Sequence, residues 1–279
     1  MTIKYVRRVL PPEERTVYWV GVLRLDCARP DTPVALFASD EMAWGWIRTQ
    51  AGNYTTREFR ALVVEPDATP RTEGPMSKLD LYQAWTRTTA LYPGSGGGGP
   101  EAIVYCALGL AGETGELAGA LDALAKADTP ENEAAVFAEL GDVTWYFARL
   151  LAETGFVLSQ AFGGEGDPVG DVRLAAHETP WDTYFGLAVA VGRVVERVKK
   201  TIRDHGGLPA LATVLREPAS RDTHPAKLFL DAVQRDLAPA YARMVAVLGG
   251  KVFDVCAANE AKLTARMARN TLQGSGDKR

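Results

Sequence analysis

The spacing of hydrophobic positions changes near residue 70. Before that point, apolar and β-branched residues gather in short runs over 16–25, 34–38 and 58–64, which predict strands. Between the last two runs, residues 40–50 predict a helix, because Ser39 can cap it and apolar side chains recur within it. We therefore predict a small α+β module over residues 1–70.

From residue 77 onward the apolar positions recur at helical spacing. Ser77 is predicted to cap the first helix, with Asp80 as its capping-box partner. The Thr-Pro dipeptides at 129–130 and 179–180 are typical helix starts, and Gly-Gly at 206–207 and 249–250 is typical of helix ends. The predicted helices run from 77 to 91, 101 to 126, 130 to 154, 180 to 205, 225 to 248 and 252 to 270.

Composition limits the classes of protein that this chain can be. Its 279 residues are 47% hydrophobic and 24% charged, which is enough to bury an ordinary core. The net charge of -4 argues against nucleic acid as a partner. No signal peptide or apolar stretch of membrane length is apparent, and the three cysteines are widely spaced. We therefore expect a cytoplasmic protein without a membrane partner.

Two pairs of carboxylates stand out inside apolar helical stretches, Glu113-x-x-Glu116 and Glu139-x-x-Asp142. Residues three apart lie on one face of a helix. Carboxylates that face a helical core need cations or a metal, and four of them would suit a hard cation such as Mg²⁺, with Mn²⁺ as an alternative. A single such pair is more often part of a solvated surface, so the hypothesis depends on the presence of both pairs.

The helical region contains a possible internal repeat, with a first half over 77–160 and a second over 180–279. Residues 110–117 can be aligned with 187–194, although any two apolar helices share some pattern. In this alignment Arg193 stands opposite Glu116. Of the four carboxylates only Asp142 keeps an acidic counterpart, Asp236, so the second half is predicted to lack a complete metal site.

The second half instead carries a run of cations, Lys199, Lys200 and Arg203. One interpretation is a single composite site, in which these cations bind the phosphates of a substrate that the metal also holds. The alternative is that they are favourable charges at the C-terminus of a helix.

These motifs resemble the MazG-like, all-α NTP pyrophosphohydrolase superfamily, whose pattern is E-x-x-E followed by E-x-x-D. The resemblance covers about 77–279 and includes a K-K-x-x-R-D-x-G-G run at 199–207 and an N-x-x-K-L segment beginning at Asn259. It implies a mainly α helical bundle, formed here by two related halves. Members of the family form dimers, so the chain is expected to be either a homodimer or a monomer in which the repeat replaces dimerisation.

The resemblance also implies an activity, the Mg²⁺-dependent hydrolysis of a nucleoside triphosphate at its α–β phosphoanhydride. The products would be the monophosphate and pyrophosphate. Glu113 and Glu116 would be catalytic, and either could orient the attacking water. Asn259, Lys262 and Arg266 would bind phosphates, because their i, i+3, i+7 spacing places them on one helix face.

Three aromatic residues are weaker candidates for stacking on the base, Tyr82, Trp85 and Trp145, since aromatics at helical spacing are more often core residues. Two other functions stay open at this stage. One is a nucleotide-sensing or interaction protein that binds without cleaving. The other is a pyrophosphatase for phosphoribosyl-ATP or a modified nucleotide on the same fold.

Overall fold

The computed structural model describes residues 18–24, 32–37, 57–63, 77–164, 166–217, 222–269 and 271–272. The chain separates into two compact units, Met1–Pro75 and Met76–Arg279.

The described residues of the first unit form an antiparallel sheet in the order β2-β1-β3. In its register, Tyr18 lies opposite Phe37 on one side and Val63 on the other. The helix predicted over 40–50 lies outside the described residues, so the α+β character of the module stays a prediction. The strands are β1 (Tyr18–Arg24), β2 (Thr32–Phe37) and β3 (Arg57–Val63).

The second unit is mainly helical in its described residues, as the sequence predicts for 77–279. Among the described residues, none of the helices has both the length and the apolar character that crossing a bilayer requires. The helices are α1 (Lys78–Thr86), α2 (Pro100–Lys126), α3 (Pro130–Thr154), α4 (Leu158–Ala161), α5 (Pro180–Asp204), α6 (Leu211–Arg216), α7 (Pro225–Ala232), α8 (Ala238–Val247) and α9 (Val252–Ala268).

Two of the predicted helix starts are confirmed by their caps. The Thr129 side chain accepts a hydrogen bond from the backbone N–H of Asn132 at the start of α3. At the start of α5, Thr179 and Asp182 form a complete capping box, in which each side chain accepts from the other residue's backbone N–H. The Thr-Pro dipeptides therefore mark the starts of both helices.

The capping box predicted at the first helix is wrong. Ser77 does cap α1, because its hydroxyl accepts from the backbone N–H of Leu79. The carboxylate of Asp80, however, accepts from the backbone N–H of Ser159 at 2.8 Å and from its hydroxyl at 2.7 Å. A tertiary contact with α4 thus replaces the local one, and α1 ends at Thr86 rather than continuing to residue 91.

The helix predicted over 225–248 is confirmed in extent, since residues 225–247 are helical throughout, but it is not a regular α-helix. A π-helical segment, Val233–Leu237, interrupts it between α7 and α8. Pro239 follows in the first turn of α8. A proline lacks the backbone N–H and sterically displaces the carbonyl four residues before it, so a wider turn accommodates the chain there.

Helix α3 occupies a central position in this unit, where it packs against α2 on one side and α9 on another. Helix α5 packs against α2 and also against α7, the π segment and α8. The described part thus contains two contacting helix groups, α2 with α3 and α5 with α7–α8. The most deeply buried side chains include Leu110, Leu140, Phe147, Leu151 and Tyr241.

A buried ion pair holds the glycine-rich loop that leads into α2. Glu153 is 1% exposed and accepts from the backbone N–H groups of Gly96 and Gly98 at 2.6 and 2.8 Å. It also accepts from the Tyr92 hydroxyl and from Arg149, each at 2.6 Å. Four donors thus converge on one carboxylate, which fixes the loop against the end of α3.

Candidate functional site

The candidate site lies where α2 and α3 face each other. Gly109 allows the close approach, because a Cβ at this position would lie 2.1 Å from the ring of Tyr146 on α3. Glu113 and Glu116 follow Gly109 at i+4 and i+7, so they continue the face of α2 that meets α3. Glu139 comes from α3 and completes the group.

The structure brings three of the four predicted metal ligands together. Carboxylate oxygens of Glu113, Glu116 and Glu139 lie within 4.8 Å of one another. Glu139 is 8% exposed, whereas Glu113 is half-buried and Glu116 is exposed. The three-glutamate group therefore begins within the interface between α2 and α3, at Glu139, and is open to solvent at Glu116. Carboxylate oxygens at this spacing suit a hard divalent cation that keeps some of its water ligands.

The fourth predicted ligand, Asp142, is engaged by α9. Its Oδ1 accepts from Asn259 Nδ2 at 2.9 Å, and its Oδ2 pairs with Lys262 Nζ at 2.6 Å. Lys262 also donates to the backbone carbonyl of Ala138 at 3.1 Å. Asp142 is therefore neutralised by a lysine next to the three-glutamate group, and its role as a direct ligand stays a prediction.

Helix α9 can approach α3 closely because residue 141 is a glycine. A Cβ at Gly141 would lie 3.0 Å from the side chain of Asn259. Asn259 is 2% exposed, and its Oδ1 accepts from the Tyr82 hydroxyl at 2.8 Å. Arg266, the third predicted phosphate ligand on α9, is also buried at 6% exposure. Of the three residues, Lys262 is the most exposed in this structure.

The predicted cations of the second half make their ion pairs within α5. Lys199 and Lys200 pair with Glu196 at 2.5 and 3.5 Å, and Arg203 pairs with Asp204 at 2.6 Å. The hydrogen bond from Lys199 is the main reason that the pKa of Glu196 lies below its usual range. Among the described residues, none of these ion pairs reaches the glutamates of α2 and α3.

The aromatic candidates lie mostly in the core. Tyr82 is 3% exposed and Trp145 is 8% exposed, with Trp145 Nε1 donating to Thr89 Oγ1 at 2.8 Å. Trp85 is half-buried and stacks on Tyr82, with 5.9 Å between ring centroids. Burial raises the pKa of Tyr82 well above its usual value, so its hydroxyl stays a neutral donor to Asn259. Trp85 is the candidate with the most accessible ring.

Tyr146 is a residue near the site that sequence patterns did not single out. Its ring packs over Gly109, one turn before Glu113. Burial raises its pKa, and a hydrogen bond with Tyr105 and the charge of Glu113 act in the same direction. The signal in the sequence was Gly109, since a glycine inside a helix often permits the close approach of a large neighbour.

The fold and the site define a helical protein with a cluster of three glutamate side chains between two packed helices, α2 and α3. No family model matches the chain, and no solved structure matches it significantly. The Gene 37 protein of Mycobacterium phage L5 is 38% identical to the chain over 86 residues, which is 29% of this chain and 75% of the phage protein. The chain belongs to the same family as this phage protein.

Proposed function

We propose that the chain is a Mg²⁺-dependent nucleoside triphosphate pyrophosphohydrolase, with Mn²⁺ as an alternative metal. The observation that carries the proposal is the group formed by Glu113, Glu116 and Glu139, whose carboxylate oxygens lie within 4.8 Å of one another. The reaction breaks the α–β phosphoanhydride of the substrate. A water molecule adds to the α-phosphorus, and pyrophosphate leaves.

A bound Mg²⁺ would supply charge neutralisation for the phosphates and a more acidic water. Glu139, the most buried of the three glutamates, is suited to hold the metal from the helix interface. Glu113 and Glu116 are closer to solvent and are suited to orient the water or accept its proton.

Lys262 is the cation best placed to meet the phosphate chain. It lies on α9, contacts Asp142 beside the glutamates, and its side chain is 20% exposed. A small rotation would let its ammonium group donate to a phosphate oxygen while Asp142 keeps its bond from Asn259. Tyr82 and Asn259 are both buried. They act as positioning residues, because Tyr82 donates to Asn259 and Asn259 donates to Asp142.

We also propose that the helical unit is a MazG-like bundle made of two related halves. The packing of α2 with α3, and of α5 with α7–α8, supports this division. In a single-chain bundle of this kind the second half takes the place of a partner subunit, so a monomer is one expectation and a homodimer of such bundles is the other.

A second candidate function is nucleotide sensing without cleavage. The observation that favours it is the ion pair between Asp142 and Lys262, which leaves three carboxylates rather than four in the group. Such a protein would bind a Mg²⁺-nucleotide complex and release no pyrophosphate.

The test that separates the two functions is pyrophosphate release from nucleoside triphosphates in the presence of Mg²⁺. The enzyme should release it, and the Glu116→Gln variant should release it at least about tenfold more slowly. Tight nucleotide binding without release would favour the sensing function. Release from phosphoribosyl-ATP or a modified nucleotide alone would keep the reaction and change the substrate.

A further inference from the structure

An open cleft lies between α5 and the π segment, in the second half of the helical unit. Its three lining cations, Arg193, Arg197 and Lys200, are spaced at i, i+4 and i+7 and therefore share one face of α5. Asp236 faces them from the π segment, which is the kind of helix irregularity that often accompanies a functional site. The cleft is lined by Arg193, Glu196, Arg197, Lys200 and Asp236.

The cations of this cleft outnumber the carboxylates that pair with them. Arg193 Nη1 pairs with Asp236 Oδ1 at 2.6 Å. Lys200 shares Glu196 with Lys199, and its own distance to that carboxylate is the longer one, 3.5 Å. Arg197 is half-buried and forms no side-chain ion pair or hydrogen bond within the described residues. A guanidinium in that position lacks the anion that its planar array of donors favours.

The predicted repeat relates residues of this cleft to the predicted metal ligands of the first half. In the alignment of the two halves, Arg193 stands opposite Glu116, and Asp236 stands opposite Asp142. A guanidinium therefore occupies a place where the first half offers a carboxylate. A divalent cation would be repelled there, whereas an anion would be attracted.

We propose that this cleft is a metal-free binding site for a chain of two or more phosphates, either free or as part of a nucleotide. Arg197 offers a planar fork to one phosphate, and Lys200, one turn further along α5, offers a point charge to the next. Pyrophosphate carries more negative charge than orthophosphate and can contact the two groups through separate phosphates, so it is expected to bind more tightly. The site does not depend on the proposed hydrolysis, because its residues are separate from the three glutamates.

The test is calorimetric titration of the full chain with pyrophosphate in the presence of a chelator, so that no divalent metal takes part. We expect binding at one site and weaker binding of orthophosphate. The double variant Arg197→Ala with Lys200→Ala should lose at least about tenfold in affinity, because two charge-assisted contacts are removed. Lys126→Ala, which removes an exposed cation outside the cleft, is the matched control and should bind as wild type.

Two further arms identify the source of the phosphates and exclude the glutamate group. Equal affinity for inorganic triphosphate and ATP would assign the site to the phosphate chain, and tighter binding of ATP would assign it to a nucleotide. The Glu116→Gln variant should bind pyrophosphate as wild type does. Absence of pyrophosphate binding, binding unchanged in the double variant, or binding lost in Glu116→Gln would overturn the proposal.

Discussion

Lys262 forms an ion pair with Asp142, with 2.6 Å between Nζ and Oδ2. Because Asp142 follows Glu139 by one turn of α3, this pair places a positive charge from α9 next to the three-glutamate group. A neighbouring cation weakens the binding of a metal ion and strengthens the binding of a phosphate. The proposed reaction requires both a metal ion and a phosphate chain, and Lys262 affects the binding of each in opposite directions.

Replacing Lys262 with methionine should separate these two effects. We expect Lys262→Met to bind Mn²⁺ about threefold more tightly, because the opposing charge is gone and Asp142 is released toward the glutamates. Binding of a nucleoside triphosphate should weaken. Calorimetric titration with Mn²⁺ measures the first effect. Lys126→Met is the control for the removal of a lysine elsewhere. Weaker manganese binding in Lys262→Met would contradict this account of the pair.

The glutamate group itself can be tested without turnover. Glu116→Gln removes one anionic ligand while keeping the size of the side chain, so Mn²⁺ affinity should fall at least about tenfold. Glu133→Gln is the matched control, since Glu133 is an exposed residue in the first turn of α3. Equal manganese affinity in the two variants would show that the three glutamates do not form a metal site.

The buried carboxylate of Glu153 should contribute strongly to stability. Glu153→Gln leaves Arg149 buried without its counter-charge, and we expect the free energy of unfolding to fall by about 3 kcal/mol. Asp122→Asn breaks an exposed pair with Lys126 and should change it by less than about 0.5 kcal/mol. Urea denaturation measures both, and similar values for the two variants would disprove the anchoring role of Glu153.

The same residue predicts a dependence on pH. Burial alone would raise the pKa of Glu153, but the Tyr92 hydrogen bond, the charge of Arg149 and the bond from Gly96 together hold it below its usual range. A lowered folded-state pKa gives stability that is present above the unfolded-state pKa and is lost as pH falls through the folded-state value. The stability gap between wild type and Glu153→Gln should therefore shrink below about pH 4. A gap that stays constant or widens in acid would contradict this.

The helix starts were the most predictable part of the structure. Caps such as Thr129 act within one turn, so their signal is contained in the local sequence. The π segment before Pro239 was missed because the apolar pattern continues through it. The contact between Asp80 and Ser159 was missed because it joins segments far apart in the chain.

The site, like the fold, was predictable only where the signal lies in the local sequence. The spacing of Glu113 and Glu116 places them on one helix face, but it does not say which helix that face meets. The partner of Asp142 is a lysine on α9, 120 positions further along the chain. No local sequence pattern reports a contact between residues so far apart in the chain. The sequence therefore suggested four equivalent carboxylates, whereas in the structure three glutamates group together and Asp142 pairs with Lys262.

The decisive test of the proposed hydrolysis is pyrophosphate release from a panel of nucleoside triphosphates with Mg²⁺, measured for wild type, Glu116→Gln and Glu133→Gln. We expect pyrophosphate and the nucleoside monophosphate in equal amounts from wild type and from Glu133→Gln. For Glu116→Gln we expect a rate at least about tenfold lower. Orthophosphate as the only phosphate product, or an undiminished rate in Glu116→Gln, would disprove the proposed hydrolysis.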